Sequence, residues 1–330
     1  MRSVFDMAVN LRDFFIALSE NKVLIAGAQK FGLRLGAQSV VAGTNVDEVV
    51  KTIKRLNNQN ISCTVDNLGE FVFEEAEALE AKKNILNVIE VIHAEKLDAH
   101  ISLKPTQLGL NFDKEFCYNN LRDIVGTAHE YGIFINFDTE THETLYESFD
   151  LMERLHEEFD NVGTVIQSYF FNAQENIERF KDYRLRIVKG AYKEPADLAY
   201  TDKADIDANY LKLIEYHLLH GKFTSIATHD HNVIAHVEKF VKENNISHDK
   251  FEFQMLYGFR TEMQEDLATQ YNFCTYLPFG KDWYGYFMRR LAERPQNMEL
   301  VVKQVFNKKT NTMLGVAAAA FALGRITKRK

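Results

Sequence analysis

A chain of 330 residues that is 46% hydrophobic and 26% charged has the apolar content of a globular protein with a large core. Its net charge of −8, from 39 basic and 47 acidic residues, argues against a general nucleic-acid binder. Three widely spaced cysteines (Cys63, Cys117 and Cys274) form no CxxC and fit buried thiols of a reducing compartment.

The first ten residues carry an early aspartate and no apolar h-region, so they do not read as a secretory signal. No window approaches the roughly 18 apolar residues of a membrane span. Residues 1–57 read as an N-terminal helical arm, its last helix running from Asn45 to Leu56 with Asn45 as cap. Short apolar or β-branched runs then recur: Ile61–Val65, Ala99–Leu103, Ile133–Phe137, Thr164–Ser168, Leu185–Val188, Thr224–Ala227, Phe251–Met255 and Phe273–Leu277. Amphipathic stretches separate them, at Leu68–Lys82, Cys117–Tyr131, Thr144–Phe159, Gln174–Asp182, Asp205–Leu219, Val233–Glu243 and Glu262–Gln270.

Alternation of this length predicts an α/β fold with parallel strands and helical crossovers. Eight repeats over residues 58–297 fit a (βα)₈ TIM-type barrel, distorted and with extra N-terminal helices. An open doubly wound sheet is the competitor, but no G-x-G-x-x-G follows any strand. Residues 298–330 read as a C-terminal helical tail ending in Arg-Ile-Thr-Lys-Arg-Lys, a solvated helix end or, alternatively, a basic surface anchor.

In such a barrel the chemistry sits where strands end at their C-termini. Those positions hold Asp66 with Glu70, Lys104, Asp138 with Glu140, Gln167, Arg186 with Lys189, Thr228 with His229, Gln254 and Tyr276. After the last strand comes a helix, Asp282-Trp-Tyr-Gly-Tyr286-Phe-Met-Arg289-Arg290-Leu-Ala-Glu293, stopped by Pro295. At about 100° per residue, Tyr286, Arg289, Arg290 and Glu293 share one face, and paired guanidinium groups suit a small carboxylate. The same helix is also an ordinary amphipathic one, with Tyr284, Phe287, Met288 and Leu291 opposite.

Plainer readings stand beside the functional ones. Asp66 and Glu70 serve equally well as caps for the first barrel helix. Lys189-Gly190-Ala191-Tyr192 reads as a turn in which Gly190 takes a positive φ. His229 and His231 point to opposite sides if extended, and the expectation is no metal. Strand-end Lys104 or Lys189 also allows a Schiff-base aldolase, and Arg289 with Arg290 a non-catalytic anion-binding barrel.

The segments Asp66-Asn-Leu-Gly-Glu70, Ser102-Leu-Lys104, Asp138, Gln167, Arg186-Ile-Val-Lys-Gly-Ala-Tyr192, Ala227-Thr-His229, Phe253-Gln-Met-Leu256, Tyr276-Leu-Pro-Phe-Gly280 and Tyr286-x-x-Arg289-Arg290-x-x-Glu293 run in family order. They resemble the proline dehydrogenases of the monofunctional bacterial type. The resemblance implies a barrel that binds FAD noncovalently and oxidises L-proline to Δ1-pyrroline-5-carboxylate, passing electrons to a membrane quinone. It implies that Lys104, Arg289 and Arg290 bind the proline carboxylate, and that Tyr276, Tyr286 and Leu256 shape the pocket. Arg186 would lie near the flavin N5 and Asp138 would order the site, the two forming its catalytic pair. Gln167, Val188, Lys189, Gly190, Ala191, Tyr192, Thr228 and His229 would hold the cofactor, and Glu70 would gate the substrate through Arg289. Lys193 departs from the aromatic residue found there in many relatives, which puts one flavin contact in doubt. The chain is too short for the aldehyde dehydrogenase of bifunctional relatives, so a separate pyrroline-5-carboxylate dehydrogenase is expected downstream. The expected location is the cytoplasm, with peripheral contact at the inner membrane face and no nucleic-acid partner.

Overall fold

The computed structural model describes residues 40–69 and 72–293, with side chains through residue 288. Eight parallel strands close on themselves in the order of the sequence: β1 (Ser62–Asn67), β2 (Ala99–Leu103), β3 (Ile135–Phe137), β4 (Val162–Gln167), β5 (Arg184–Val188), β6 (Phe223–Ala227), β7 (Phe251–Leu256) and β8 (Phe273–Phe279). Closure is made by β1 on β8, registered from Ser62 opposite Cys274 to Asn67 opposite Phe279. The expected (βα)₈ barrel is therefore the fold, with each of the eight anticipated runs overlapping one strand.

Between the strands run α2 (Glu75–Ala94), α3 (Lys114–Glu130), α4 (His142–His156), α5 (Ala173–Arg179), α6 (Lys203–His220), α7 (His231–Glu243) and α8 (Thr261–Ala268). They follow α1 (Val46–Asn57), which precedes β1. Local chemistry sets their starts. Asn45 accepts from the Glu48 amide at 3.1 Å, and Asp113, Asp202 and Asp230 do the same for α3, α6 and α7. In α1, Val49, Ile53 and Leu56 recur at i, i+4 and i+7 and are buried, which gives it one apolar stripe.

One helix differs from the sequence reading. The segment expected at Leu68–Lys82 forms α2 at Glu75–Ala94, because Ile85, Val88, Ile89 and Ile92 carry its buried stripe well past Lys82. Its N-cap position is Glu74, so Asp66, inside β1, does not cap it, and Glu70 lies outside the described residues. Residues 45–280 form one compact unit, and α9 (Trp283–Glu293) belongs to a second, of residues 1–44 and 281–330. All three cysteines are buried and free.

Strand residues alternate between two faces. Cys63, Val65, Ile101, Leu103, Ile135, Phe137, Leu185, Ile187 and Ile226 are buried apolar residues of one face. Thr224 belongs to that face too, and its Oγ1 lies 2.8 Å from Nδ1 of His217 on α6. Burial pushes the His217 imidazole down to about 4. The unfolded chain takes up this proton below its ordinary pKa of 6.5, so stability is full above that pH and is lost as pH falls toward 4. The loss approaches roughly 3 kcal/mol. Urea unfolding at pH 7 and pH 5 tests this: the wild-type chain should lose stability between them, and His217→Gln should lose that part of the slope.

Candidate active site

The opposite strand face fills the barrel, and it is polar where barrels of this fold ordinarily carry branched apolar side chains. Beside Val165 and Cys274, it carries Thr64 and Asp66 on β1, His100 and Ser102 on β2, Asn136 with Asp138 just beyond β3, Arg184 and Arg186 on β5, Ser225 on β6, Glu252 and Gln254 on β7, and Tyr276 on β8. Hydrogen bonds span the interior. Arg186 on β5 donates from Nη2 to Thr64 Oγ1 at 3.2 Å and from Nη1 to Ser102 Oγ at 3.0 Å.

Glu252 anchors the N-terminal end of this column. Its Oε1 accepts from Arg184 Nη2 at 2.7 Å, Ser225 Oγ at 2.6 Å and Gln254 Nε2 at 2.6 Å. The amide of Gln254 is thereby oriented, and its Oε1 accepts from Arg186 Nε at 2.7 Å. His100 lies in the same layer and is kept neutral by burial and by Arg184 and Arg186, which push its pKa well down.

Higher up, Asp138 is the hub. Its Oδ1 accepts from Arg186 Nη1 at 2.6 Å, Ser102 Oγ at 2.8 Å and Asn136 Nδ2 at 2.9 Å. Its Oδ2 faces the Tyr276 hydroxyl at 2.8 Å and the Lys104 ammonium at 3.7 Å. Lys104 donates to Asp66 Oδ2 at 3.1 Å, and Tyr276 Oη lies 2.8 Å from the same oxygen. The Arg186 guanidinium carbon stands 5.2 Å from the centre of the Tyr276 ring.

These contacts set the charges. Burial alone would raise the Asp138 carboxyl, but the Arg186 and Lys104 charges and the Ser102 and Tyr276 hydrogen bonds outweigh it, so it lies low and is ionised. Asp66 goes the other way: burial raises it, and Asp138 adds to that against the opposing Lys104 charge. Burial and the two carboxylates drive the Tyr276 phenol well up, so it stays neutral.

The structure thus joins Lys104, Asp138, Arg186 and Tyr276 in one cluster. Asp66 belongs to it as fully as they do, although the sequence offered it equally as a helix cap. Its signal was the period-two series Thr64–Asp66, Ser102–Lys104, Asn136–Asp138, Arg184–Arg186 and Glu252–Gln254, which marks one polar face on five strands.

A second group lies at the ends of β4, β5 and β6. Gln167 Nε2 donates to the Glu140 carbonyl at 2.8 Å. Lys189 pairs with Asp207 at 2.5 Å and faces Asp230 at 4.0 Å. Gly190 has a φ of +112°, and a Cβ there would come within 2.4 Å of the Tyr169 ring, so the turn read from the sequence needs its glycine. Val188 is half-buried, while Ala191, Tyr192 and Lys193 are exposed. Thr228 Oγ1 accepts from the Asp230 amide at 3.1 Å, and His229 Nε2 accepts from the Leu256 amide at 3.3 Å. A cation, a primary amide, a hydroxyl and an imidazole on three adjacent strand ends form a donor set suited to an anionic, hydrogen-bonding cofactor. Among the described residues, no three His, Cys, Asp or Glu side chains group as metal ligands.

Tyr286 is a buried residue of α9. Arg289 and Arg290 follow on that helix, and their side chains, with all of Glu70, lie outside the described residues.

A (βα)₈ barrel whose strand ends converge on buried cations and carboxylates is the architecture of an enzyme acting on a small anionic substrate. Residues 49–303 match the family described as Proline dehydrogenase. The chain is 40% identical to Proline dehydrogenase 1 of Bacillus subtilis over 301 residues, covering 90% of this chain and 100% of that one. It is 39% identical to the Proline dehydrogenase of Deinococcus radiodurans, covering 81% and 89%. The crystal structure of proline utilization A (PutA) from Bdellovibrio bacteriovorus, inactivated by N-propargylglycine, superposes with a TM-score of 0.77 at 24% identity, over 89% of this chain and 37% of that one. The chain belongs to the proline dehydrogenase family and is an oxidoreductase.

The buried pair allows a direct test. Arg186→Met leaves the Asp138 carboxylate desolvated beside Lys104 alone and should cost about 3–5 kcal/mol of unfolding free energy. Asp138→Leu combined with Arg186→Met should recover part of that loss in urea titrations, because the ion pair is then removed whole rather than broken.

Proposed function

We propose that this enzyme oxidises L-proline to Δ1-pyrroline-5-carboxylate with a noncovalently bound FAD. The observation carrying this reading is the single buried cluster of Lys104, Asp138, Arg186 and Tyr276, four residues that the family resemblance assigns to substrate or cofactor. The strand-end donor set at Gln167, Lys189, Thr228 and His229 fits the cofactor, with Val188, Gly190, Ala191 and Tyr192 continuing its binding segment. Bound FAD would supply the hydride acceptor.

In this reading, Lys104 receives the proline carboxylate together with Arg289 and Arg290. Leu256, Tyr276 and Tyr286 bound the ring, and Glu70 gates the pocket through Arg289. The Asp66 and Asp138 carboxyl groups fix the Tyr276 hydroxyl, so the phenol is a preset wall rather than a mobile one. An aromatic residue at this position favours proline over hydroxyproline. Oxidation requires a neutral amine, and a cationic pocket disfavours the protonated one. Arg186, held from four directions by Thr64, Ser102, Asp138 and Gln254, presents a fixed positive charge where negative charge grows.

Electrons would leave to a membrane quinone, a separate pyrroline-5-carboxylate dehydrogenase would take the product, and the enzyme would work in the cytoplasm against the inner face of a membrane. Among the described residues no helix is long and apolar enough to cross a membrane.

A visible spectrum of the purified protein, before and after anaerobic L-proline, tests the whole reading. Flavin bands that bleach on proline addition are expected, whereas a colourless protein that takes up no FAD would overturn it. Lys104→Met should raise KM for proline by one to two orders of magnitude, about the loss of one charge-assisted hydrogen bond. Its flavin content should stay unchanged.

A further inference from the structure

We propose that Asp66 is kept as a carboxylic acid in the substrate-free enzyme, as a positioning residue whose proton sets the charge presented to the substrate. The Tyr276 hydroxyl oxygen lies 2.8 Å from Asp66 Oδ2 and 2.8 Å from Asp138 Oδ2. A phenol has one hydrogen and can donate along only one of these contacts. The other contact needs a hydrogen that only a carboxyl group can supply.

The partners decide which carboxyl supplies it. Asp138 already receives Arg186, Ser102 and Asn136 at one oxygen, an environment that stabilises the anion. Asp66 is 1% exposed and, among the described residues, receives only Lys104 besides Tyr276, with its buried Oδ1 left without a partner. An ionised carboxylate would leave that oxygen desolvated and unpaired, whereas a protonated one loses far less. The resulting order is Asp66 O–H to Tyr276 Oη, and Tyr276 O–H to Asp138. The upward shift of the Asp66 pKa by burial agrees with this order.

The consequence is electrostatic. Among the described residues, the charged or titratable groups facing Asp66 are Lys104 from the end of β2, Asp138 from just beyond β3 and Tyr276 from β8, with Arg186 of β5 paired to Asp138. With Asp66 protonated, the described cluster of Lys104, Arg186, Asp138 and Asp66 carries one net positive charge. That added positive charge favours a ring carboxylate whose amine has already lost its proton, which is the form that can be oxidised. When Asp66 ionises, the cluster becomes neutral and the Tyr276 link breaks. This last step rests on the proposed placement of substrate against Lys104 and Tyr276.

Two measurements on the holoenzyme separate the parts. The first is an infrared difference spectrum of 13C-aspartate-labelled against unlabelled protein, without substrate. A protonated-carboxyl band that disappears at high pH and is missing in Asp66→Asn is expected; its absence in the wild-type protein would overturn the inference. Should Asp66→Asn not fold, Tyr276→Phe replaces it, since loss of the accepting hydroxyl must shift the band. The second is the calorimetric Kd of cyclopentanecarboxylate, which has the ring and carboxylate but no amine to titrate. It should weaken about tenfold per pH unit above the Asp66 titration, as expected for one linked proton. In Asp66→Asn the same limb should be flat. An Asp66→Asn variant that keeps the limb, or binds as weakly as Asp66→Leu at every pH, overturns the inference. A wild-type band with a pH-independent Kd upholds the protonated acid and overturns the placement of substrate instead.

Discussion

Everything at the centre of this barrel depends on one buried ion pair, Arg186 with Asp138 at 2.6 Å. Two charges in a barrel interior are expensive to desolvate, and their mutual attraction offsets that only when the remaining donors and acceptors are also satisfied. Here they are. Arg186 uses Nε, Nη1 and Nη2 on four partners, and Asp138 accepts at both oxygens. An interior of branched apolar residues would give stability more simply. A polar column maintained at this cost is the signature of a site rather than of a core.

The column also explains how elements far apart in sequence act together. Glu252 orients Gln254, Gln254 orients Arg186, and Arg186 reaches β1, β2 and the end of β3. Tyr276 closes the circuit from β8 back to Asp66 on β1, the two strands whose pairing closes the barrel. Packed rigidly by the helices outside, these side chains have little freedom to relax. That rigidity is what a preset charge distribution needs, because a site that reorganises as charge develops loses most of its electrostatic advantage. In the proposed reading the redox chemistry sits in this setting, where the protein supplies binding, orientation and charge.

Within the site, two carboxylates of the same chemical type are driven apart by their surroundings. Asp138 is surrounded by donors and remains an anion; Asp66 has a buried oxygen with no partner among the described residues and retains a proton more readily. Neither state is a property of an aspartate as such. Both follow from which strands bring which neighbours, and Tyr276 joins the two by standing between them.

The sequence by itself determined the repeating pattern. Eight short apolar runs separated by amphipathic segments are legible because strand and helix periods differ, and caps such as Asn45 and Asp230 mark helix starts locally. Lys104, Asp138, Arg186 and Tyr276 were legible as polar residues at strand ends, and Gly190 as a turn glycine, because each depends on its place along one element. The start of α2 was not, since Leu68–Glu74 carries apolar residues with no local signal that tells a loop from a first turn. The role of Asp66 was not either. Whether a carboxylate after a strand caps a helix or lines a pocket depends on residues some 40, 70 and 210 positions away. Only closure of β8 on β1 brings Tyr276, Lys104 and Asp138 around it, and the desolvation that follows decides its charge.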